Sequence, residues 1–277
     1  MNISHLTDTY NFKGKTALIT GGAGVLGGEI ACSLVGLGAN VVVLDRNTDI
    51  PQEYQLLLDA GPGSYLVLPG DVLDLDNLLA ARQKILEKFG RIDILVNAAG
   101  GNHPNATTGT ERSFFDLPVE ALRFTSDLNL LGTVLPCQIF GEQMVNQDEG
   151  VILNISSMNA FRPLTRIPAY SAAKAAVSNF TQWLAVYMAQ EFSPQLRVNA
   201  LAPGFFLTSQ NRFLLINEDG ENLTERGQKI IDHTPMGRFG APEDLLGTVF
   251  WLISPASQFV TGIVVPIDGG FSAYSGV

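Results

Sequence analysis

Residues 15–31, KTALITGGAGVLGGEIA, constrain this chain more than any other stretch, because a glycine-rich turn stands between a short β-like run and an apolar helical pattern. Lys15 to Thr20 reads as a strand, and the helical pattern runs as far as Leu37. Strand, glycine turn and helix in that order suit a dinucleotide pyrophosphate: glycines let the backbone approach, and the helix N-terminus offers free N–H groups and the positive end of its dipole. A second apolar run, NVVVLD, ends in Asp45 about twenty residues on, where a carboxylate can bond the adenosine ribose hydroxyls. Asp45 in that role repels a 2′-phosphate and favours NAD over NADP. Arg46 beside it can accommodate such a phosphate, so NADP stays open as the less favoured cofactor.

Strand and helix signals then alternate to the end of the chain. Pro51 to Ala60 reads as a helix, Ser64 to Leu68 as a strand, and Leu73 to Phe89 as a helix closed by Gly90. Ile92 to Val96 is a fourth strand, Val119 to Val145 a long helical region, Val151 to Ile155 a fifth strand, and Ala169 to Phe192 a helix. Leu196 to Leu201, the helix Pro242 to Ile253, and the strand Ile263 to Ile267 complete the series. The alternation predicts an α/β fold, a doubly wound parallel sheet of about seven strands with helices on both faces. Ligands should gather at the carboxyl ends of its strands. A single domain over 1–277 accommodates the length of 277 residues, with two long connections, 98–117 and 203–240, placed to wall a pocket. Pro136 falls inside the long helical region and should kink or break it.

The net charge of −10 argues against nucleic acid as a partner, since phosphates reward basic surfaces. MNISHLTDTYNFKGK at the start lacks the basic and apolar parts of a signal peptide, and no uncharged apolar run reaches membrane-spanning length, so a cytoplasmic protein without a membrane partner is expected. Cys32 and Cys137 sit in apolar helical patterns and read as core residues. No cluster of His, Cys and carboxylates has ligand spacing, so no metal is expected.

The chemistry is concentrated in SSMNAFRPLTRIPAYSAAKAAV, residues 156–177. Tyr170 and Lys174 share one helix face a turn apart. A phenol titrates near pKa ~10, and a neighbouring ammonium should lower that value toward neutrality and make Tyr170 a general acid or base. Ser157 follows the apolar run VILNIS and can bond the same substrate oxygen if its loop folds back over the helix start.

With these residues in place, the chain resembles the short-chain dehydrogenase/reductase family over essentially its whole length. The matching motifs are TGGAGVLG at 20–27, NAAG at 97–100, Asn129 in LNLLG, Ser157, YSAAK at 170–174 and PGFFLT at 203–208. The resemblance implies a Rossmann-type enzyme in which Tyr170 is the acid/base, Lys174 lowers its pKa and holds the nicotinamide ribose, Ser157 polarises the substrate carbonyl, and Asn129 holds a proton-relaying water. It implies cofactor contacts at Gly21, Gly24, Leu26 and Gly27 in the turn, Asp71 and Val72 at the adenine, Asn97, Ala98 and Ala99 after the central strand, and Pro203, Gly204 and Thr208 at the nicotinamide. Asn97 also braces that strand, and a homotetramer with paired long helices is the implied assembly. Val25 departs from the family pattern by replacing the middle glycine, which predicts a local rearrangement of the turn.

The loops GGNHPNATT at 100–108, 156–185, HTPMGRFG at 233–240 and the tail DGGFSAYSGV resemble the D-mannonate oxidoreductase (fructuronate reductase) type within that family. That resemblance implies NAD-linked interconversion of D-fructuronate and D-mannonate. The residues offer a separate reason to expect a sugar acid. Arg162, Arg166 and His103, joined by Asn102 and Asn159, come from two loops expected to meet above the nicotinamide, and a hydroxylated carboxylate needs a guanidinium for its oxygens and amides for its hydroxyls. Each arginine can equally be a loop brace, His103 a loop hydrogen-bonder and Arg238 a brace for the lid. Other sugar acids or polyols remain as substrates, and a catalytically silent NAD-sensing protein remains as a different kind of function.

Overall fold

The computed structural model describes residues 8–208, 211–217 and 222–276. The start of the N-terminal stretch read above, parts of the 203–240 connection (209–210 and 218–221) and the last residue of the tail lie outside the described residues.

Seven parallel strands form one sheet in the order β3-β2-β1-β4-β5-β6-β7. They are β1 Thr16–Thr20, β2 Asn40–Asp45, β3 Ser64–Pro69, β4 Ile94–Asn97, β5 Gly150–Ile155, β6 Leu196–Pro203 and β7 Val264–Ile267. Between them run α1 Val25–Gly36, α2 Gln52–Ala60, α3 Leu75–Phe89, α4 Val119–Ser126, α5 Gly132–Asn146, α6 Pro168–Glu191, α7 Arg212–Leu215, α8 Glu225–Asp232 and α9 Leu246–Ile253.

Every residue of β1 and β6 is buried, the signature of strands covered on both faces. Successive strand side chains point to opposite faces and build two cores. Ala17, Ile19, Val41 and Val43 pack with Ile30 and Leu34 of α1 and Val249 and Leu252 of α9. Leu18, Val42, Leu44 and Leu95 pack with Leu78 and Ile85 of α3, Phe140 of α5 and Leu184 of α6. The strand order reverses between β1 and β4, so the chain leaves these neighbours in opposite directions and opens a crevice at their carboxyl ends.

Boundaries differ from the sequence reading where side chains bond locally. Asp74 caps α3 by accepting from the Asn77 N–H at 3.1 Å, so the helix begins at Leu75 rather than Leu73. The last helix begins as a 3₁₀ turn, Pro242–Leu245. The long helical region is interrupted at a π-turn, Asp127–Leu131, and Pro136 lies inside α5 instead of breaking it. The wide turn falls just ahead of the point where the proline ring deprives the ladder of an N–H, and it carries Asn129.

Candidate active site

The cleft at the strand ends has a volume of about 610 Å³. One end is the glycine turn. Gly21 has φ +65°, and a Cβ there would stand 2.7 Å from the Ala99 backbone. A Cβ on Gly27 would stand 2.4 Å from the Gly21 carbonyl oxygen, so only glycines allow the turn and β4 to close together. Gly24 caps α1 without a side-chain bond, which leaves the first-turn N–H groups directed to the cleft for an anion. Leu26, Ala98, Ala99, Pro203, Gly204 and Thr208 line the same cleft.

Val25 lies past the turn. It is the first residue of α1, and its carbonyl accepts from the Tyr54 hydroxyl at 3.0 Å. A Cβ on Gly28 would strike the Tyr54 ring at 2.5 Å, so α2 braces the start of α1 through one aromatic side chain. Burial, with Glu29 nearby, pushes the Tyr54 phenol up to about 12. This brace was not read from the sequence, where no spacing ties Tyr54 to Gly28.

At the far end of the turn, Asp45 accepts from the Ala23 N–H and the Asn47 N–H, both at 3.1 Å. Its carboxylate is thus fixed beside the glycines. Arg46 lines the cleft and lies 3.6 Å from Asp71. Asp71 itself accepts from the Leu73 N–H at 2.9 Å and stands outside the lining, which Val72 and Gly70 supply at that point. A carboxylate within the cleft, one withdrawn behind it and unblocked helix N–H groups fit a dinucleotide without a 2′-phosphate.

Ser157, Tyr170 and Lys174 line the opposite part of the cleft. Ser157 caps a short 3₁₀ turn, Met158–Ala160, and hydrogen-bonds the Tyr170 phenol. The Lys174 ammonium lies 5.7 Å from the centre of the Tyr170 ring and donates to the Ile155 carbonyl at 2.7 Å. The expected lowering of the tyrosine pKa is reversed here: burial raises Tyr170, and the Ser157 hydrogen bond offsets only part of that rise. Burial also pushes Lys174 down to about 8. The phenol is therefore protonated at neutral pH and placed to give its proton away.

Asn129 is fully buried behind this wall. Its carboxamide donates to the Gly101 and Thr125 carbonyls at 2.6 and 2.7 Å and accepts from the Gly101 N–H at 3.2 Å, so it locks the segment after β4 to the π-turn. Asn97 lies outside the cleft lining and donates to Asn154 at 2.9 Å, bracing β4 against β5.

The two substrate loops do meet: the Thr108 N–H donates to the Arg166 carbonyl at 2.9 Å. Their polar side chains are largely spent on the loops themselves. Asn102 donates to Thr107 at 2.7 Å, and His103 accepts the Asn105 N–H at 3.0 Å as the cap of a 3₁₀ turn, with its ring 5.5 Å from Phe124. Arg162 donates to the Ser272 carbonyl at 3.1 Å, and Arg238 grips Asp244. None of these side chains lines the cleft, nor does Asn159, which is 5% exposed and has an unpartnered carboxamide oxygen. Local bonding accounts for this placement, since polar loop residues beside prolines and glycines satisfy nearby backbone groups first. Phe205, Phe206, Asn211 and Leu128 complete the wall, and nothing in their spacing had singled them out.

Sheet order, crevice and glycine turn together define an α/β protein of the nucleotide-binding, doubly wound class. A family model described as enoyl-(acyl carrier protein) reductase matches residues 22–272, and the chain belongs to the short-chain dehydrogenase/reductase family. It is 49% identical over 276 residues to the uncharacterized oxidoreductase UxuB of Bacillus subtilis, with 96% of this chain and 98% of that one covered. It is 33% identical to the 2-dehydro-3-deoxy-D-gluconate 5-dehydrogenase of Dickeya dadantii, covering 97% and 99%. A candidate D-mannonate oxidoreductase from Haemophilus influenza, solved with bound NAD, has a TM-score of 0.90 at 45% identity and covers 98% of this chain and 100% of its own.

Proposed function

We propose that this protein is an NAD-dependent oxidoreductase of one domain that interconverts a keto sugar acid and its hydroxy form, with D-fructuronate and D-mannonate as the pair. The observation that carries the reading is the Ser157–Tyr170–Lys174 wall facing a cleft whose other end is a glycine turn with a fixed Asp45. The names of the Haemophilus structure and the Dickeya relative support NAD and a keto sugar acid. A nicotinamide dinucleotide supplies the hydride when bound.

The chain's own residues do the rest. Tyr170 gives its proton to the substrate oxygen as that oxygen gains charge, and Ser157 orients the phenol and the carbonyl. Lys174 holds positive charge beneath the phenolate that remains. Asn129 keeps the segment over Lys174 in place. Trp183 and Tyr187 stack on the exposed face of α6 and Phe192, just past its end, meets Tyr187 edge-on, an exposed aromatic stripe that supports the homotetramer expected from the family. A cytoplasmic location belongs to the same proposal.

Two assays test it. NADH oxidation should be fastest with D-fructuronate, by at least ~10-fold in kcat/KM over neutral ketoses. A protein that turned over only polyols or neutral ketoses would lose the sugar-acid assignment. Asp45→Ser should reduce the preference for NADH over NADPH at least ~10-fold, because the charge that repels a 2′-phosphate is gone. An unchanged ratio would remove Asp45 from cofactor choice.

A further inference from the structure

Lys174 is held from the end of β5 at two points. Its ammonium donates to the Ile155 carbonyl at 2.7 Å. Its own backbone carbonyl, in the body of α6, is met by the Ser156 hydroxyl at 3.0 Å and the Ser178 hydroxyl at 3.2 Å, and the two hydroxyl oxygens stand 2.7 Å apart. Ser156 is buried and lines the cleft, and its N–H donates to the Leu201 carbonyl of β6 at 2.7 Å, so the sheet sets its position.

Proton counting separates the two serines. Two hydroxyls carry two protons for three contacts, and one lone pair of the Lys174 carbonyl is taken by the helix ladder. In one arrangement Ser178 bonds back to Lys174, as a serine four residues on commonly does, and Ser156 donates to Ser178. In the other, Ser156 donates to Lys174 and receives the Ser178 proton. Either way Ser156 joins sheet to helix, whereas Ser178 belongs to the helix itself. Without Ser178, the Ser156 hydroxyl still reaches the Lys174 carbonyl; without Ser156, the remaining hydroxyl bonds only its own helix.

The packing around α6 shows what such a tether adds. Leu184, Ala185 and Met188 face the core through apolar contacts, which are non-directional and leave the height of a helix loosely fixed. A second polar rung, the Asn154 amide donating to the Thr181 hydroxyl at 2.9 Å, lies farther along the helix. Lys174 has little slack on its other side, since a Cβ on Gly100 would stand 3.2 Å from the ammonium nitrogen. Tyr170 is the titratable group beside it, and burial rather than a charged neighbour holds its pKa down to about 8.

We propose that Ser156 is a positioning residue that fixes Lys174 against β5 and thereby sets the place of the ammonium beneath the Tyr170 phenol. The role rests on the assignment of Tyr170 as the proton donor.

Two measurements on the full-length chain test this. With D-fructuronate and NADH, Ser156→Ala should lower kcat about 5- to 20-fold, and Ser178→Ala less than about 3-fold. In Ser156→Ala the alkaline fall of kcat/KM for NADH, near pH 8 in the wild type, should move upward by about half a unit or more, because water reaching a loosened ammonium relieves its burial. A merely structural loss would lower the melting temperature and leave that profile in place. Equal losses of kcat in the two variants, or an unmoved profile in Ser156→Ala, overturn the proposal. Independently of any substrate, the pH dependence of Lys174 acetylation by acetic anhydride, followed by peptide mass spectrometry, reports the same ionisation. It should shift upward in Ser156→Ala and not in Ser178→Ala. No shift in Ser156→Ala overturns the tether whatever the enzyme reduces. A shift there in a protein that reduces no keto sugar acid keeps the tether and removes the substrate assignment.

Discussion

Tyr170→Phe is expected to lower kcat for ketone reduction by about 10³-fold while leaving the dissociation constant for NADH within a few-fold of wild type. The substitution removes one oxygen from the cleft wall and keeps the ring that packs over Lys174. A proton delivered from a fixed donor is worth about 10²–10⁴ in rate, and that contribution is lost when the donor is gone. Binding survives because the glycine turn, Asp45 and the N-terminus of α1 stand at the other end of the cleft. The pH dependence follows from the same groups. Tyr170 has a raised pKa and remains protonated through neutrality, whereas Lys174 has a depressed pKa of about 8, charged below that value and neutral above it. The profile of kcat/KM for NADH should therefore be level through neutral pH and fall as pH rises past about 8, since that parameter reports the free protein. A Tyr170→Phe protein with near wild-type turnover would remove the phenol from the chemistry.

The second large effect concerns stability. Arg197 of β6 is 7% exposed, and its guanidinium donates to the carbonyls of Leu252, Ser254 and Val260 and to the Ser257 hydroxyl at 3.0 to 3.3 Å. Leu252 and Ser254 lie at the end of α9, where carbonyls lack helical partners and the dipole favours a cation. Burial holds the Arg197 pKa down to about 10, which still leaves it charged at neutral pH. Arg197→Ala strands these acceptors inside the protein, each at about 1–3 kcal/mol. A loss of about 3–5 kcal/mol is expected, read as a melting temperature lower by about 6–20 °C. Arg197→Lys should recover part of it, because an ammonium keeps the charge and loses the fork. A melting temperature within about 2 °C of wild type for Arg197→Ala would mean that the end of α9 is held by other groups.

What was legible in the sequence follows from how local its causes are. The glycine turn, Asp45 at a strand end, and Tyr170 a turn before Lys174 are set by spacing along one or two elements, and the structure brings all of them to one cleft. The seven strands could be read because each is an apolar run, most of them buried on one or both faces and β7 only partly buried. Tyr54 and Arg197 were not legible, since each meets its partners only through segments distant in sequence. Asn102 and His103 show the opposite case: bonds within five residues engage the Asn102 amide nitrogen and the His103 Nδ1, and nothing in the spacing of the loop announced them. The lysine effect on Tyr170 was misjudged because proximity was weighed without burial, and burial moves both groups toward their neutral forms.

The most direct measurement follows the hydrogen itself. The protein is incubated with D-fructuronate and NADH deuterated at both C4 positions, and the product is examined by NMR and mass spectrometry. One deuterium on the new carbinol carbon for each NADH consumed, in D-mannonate as the sole product, is the expected result. NADH consumed without label in the product, or no consumption with any keto sugar acid, would contradict the account.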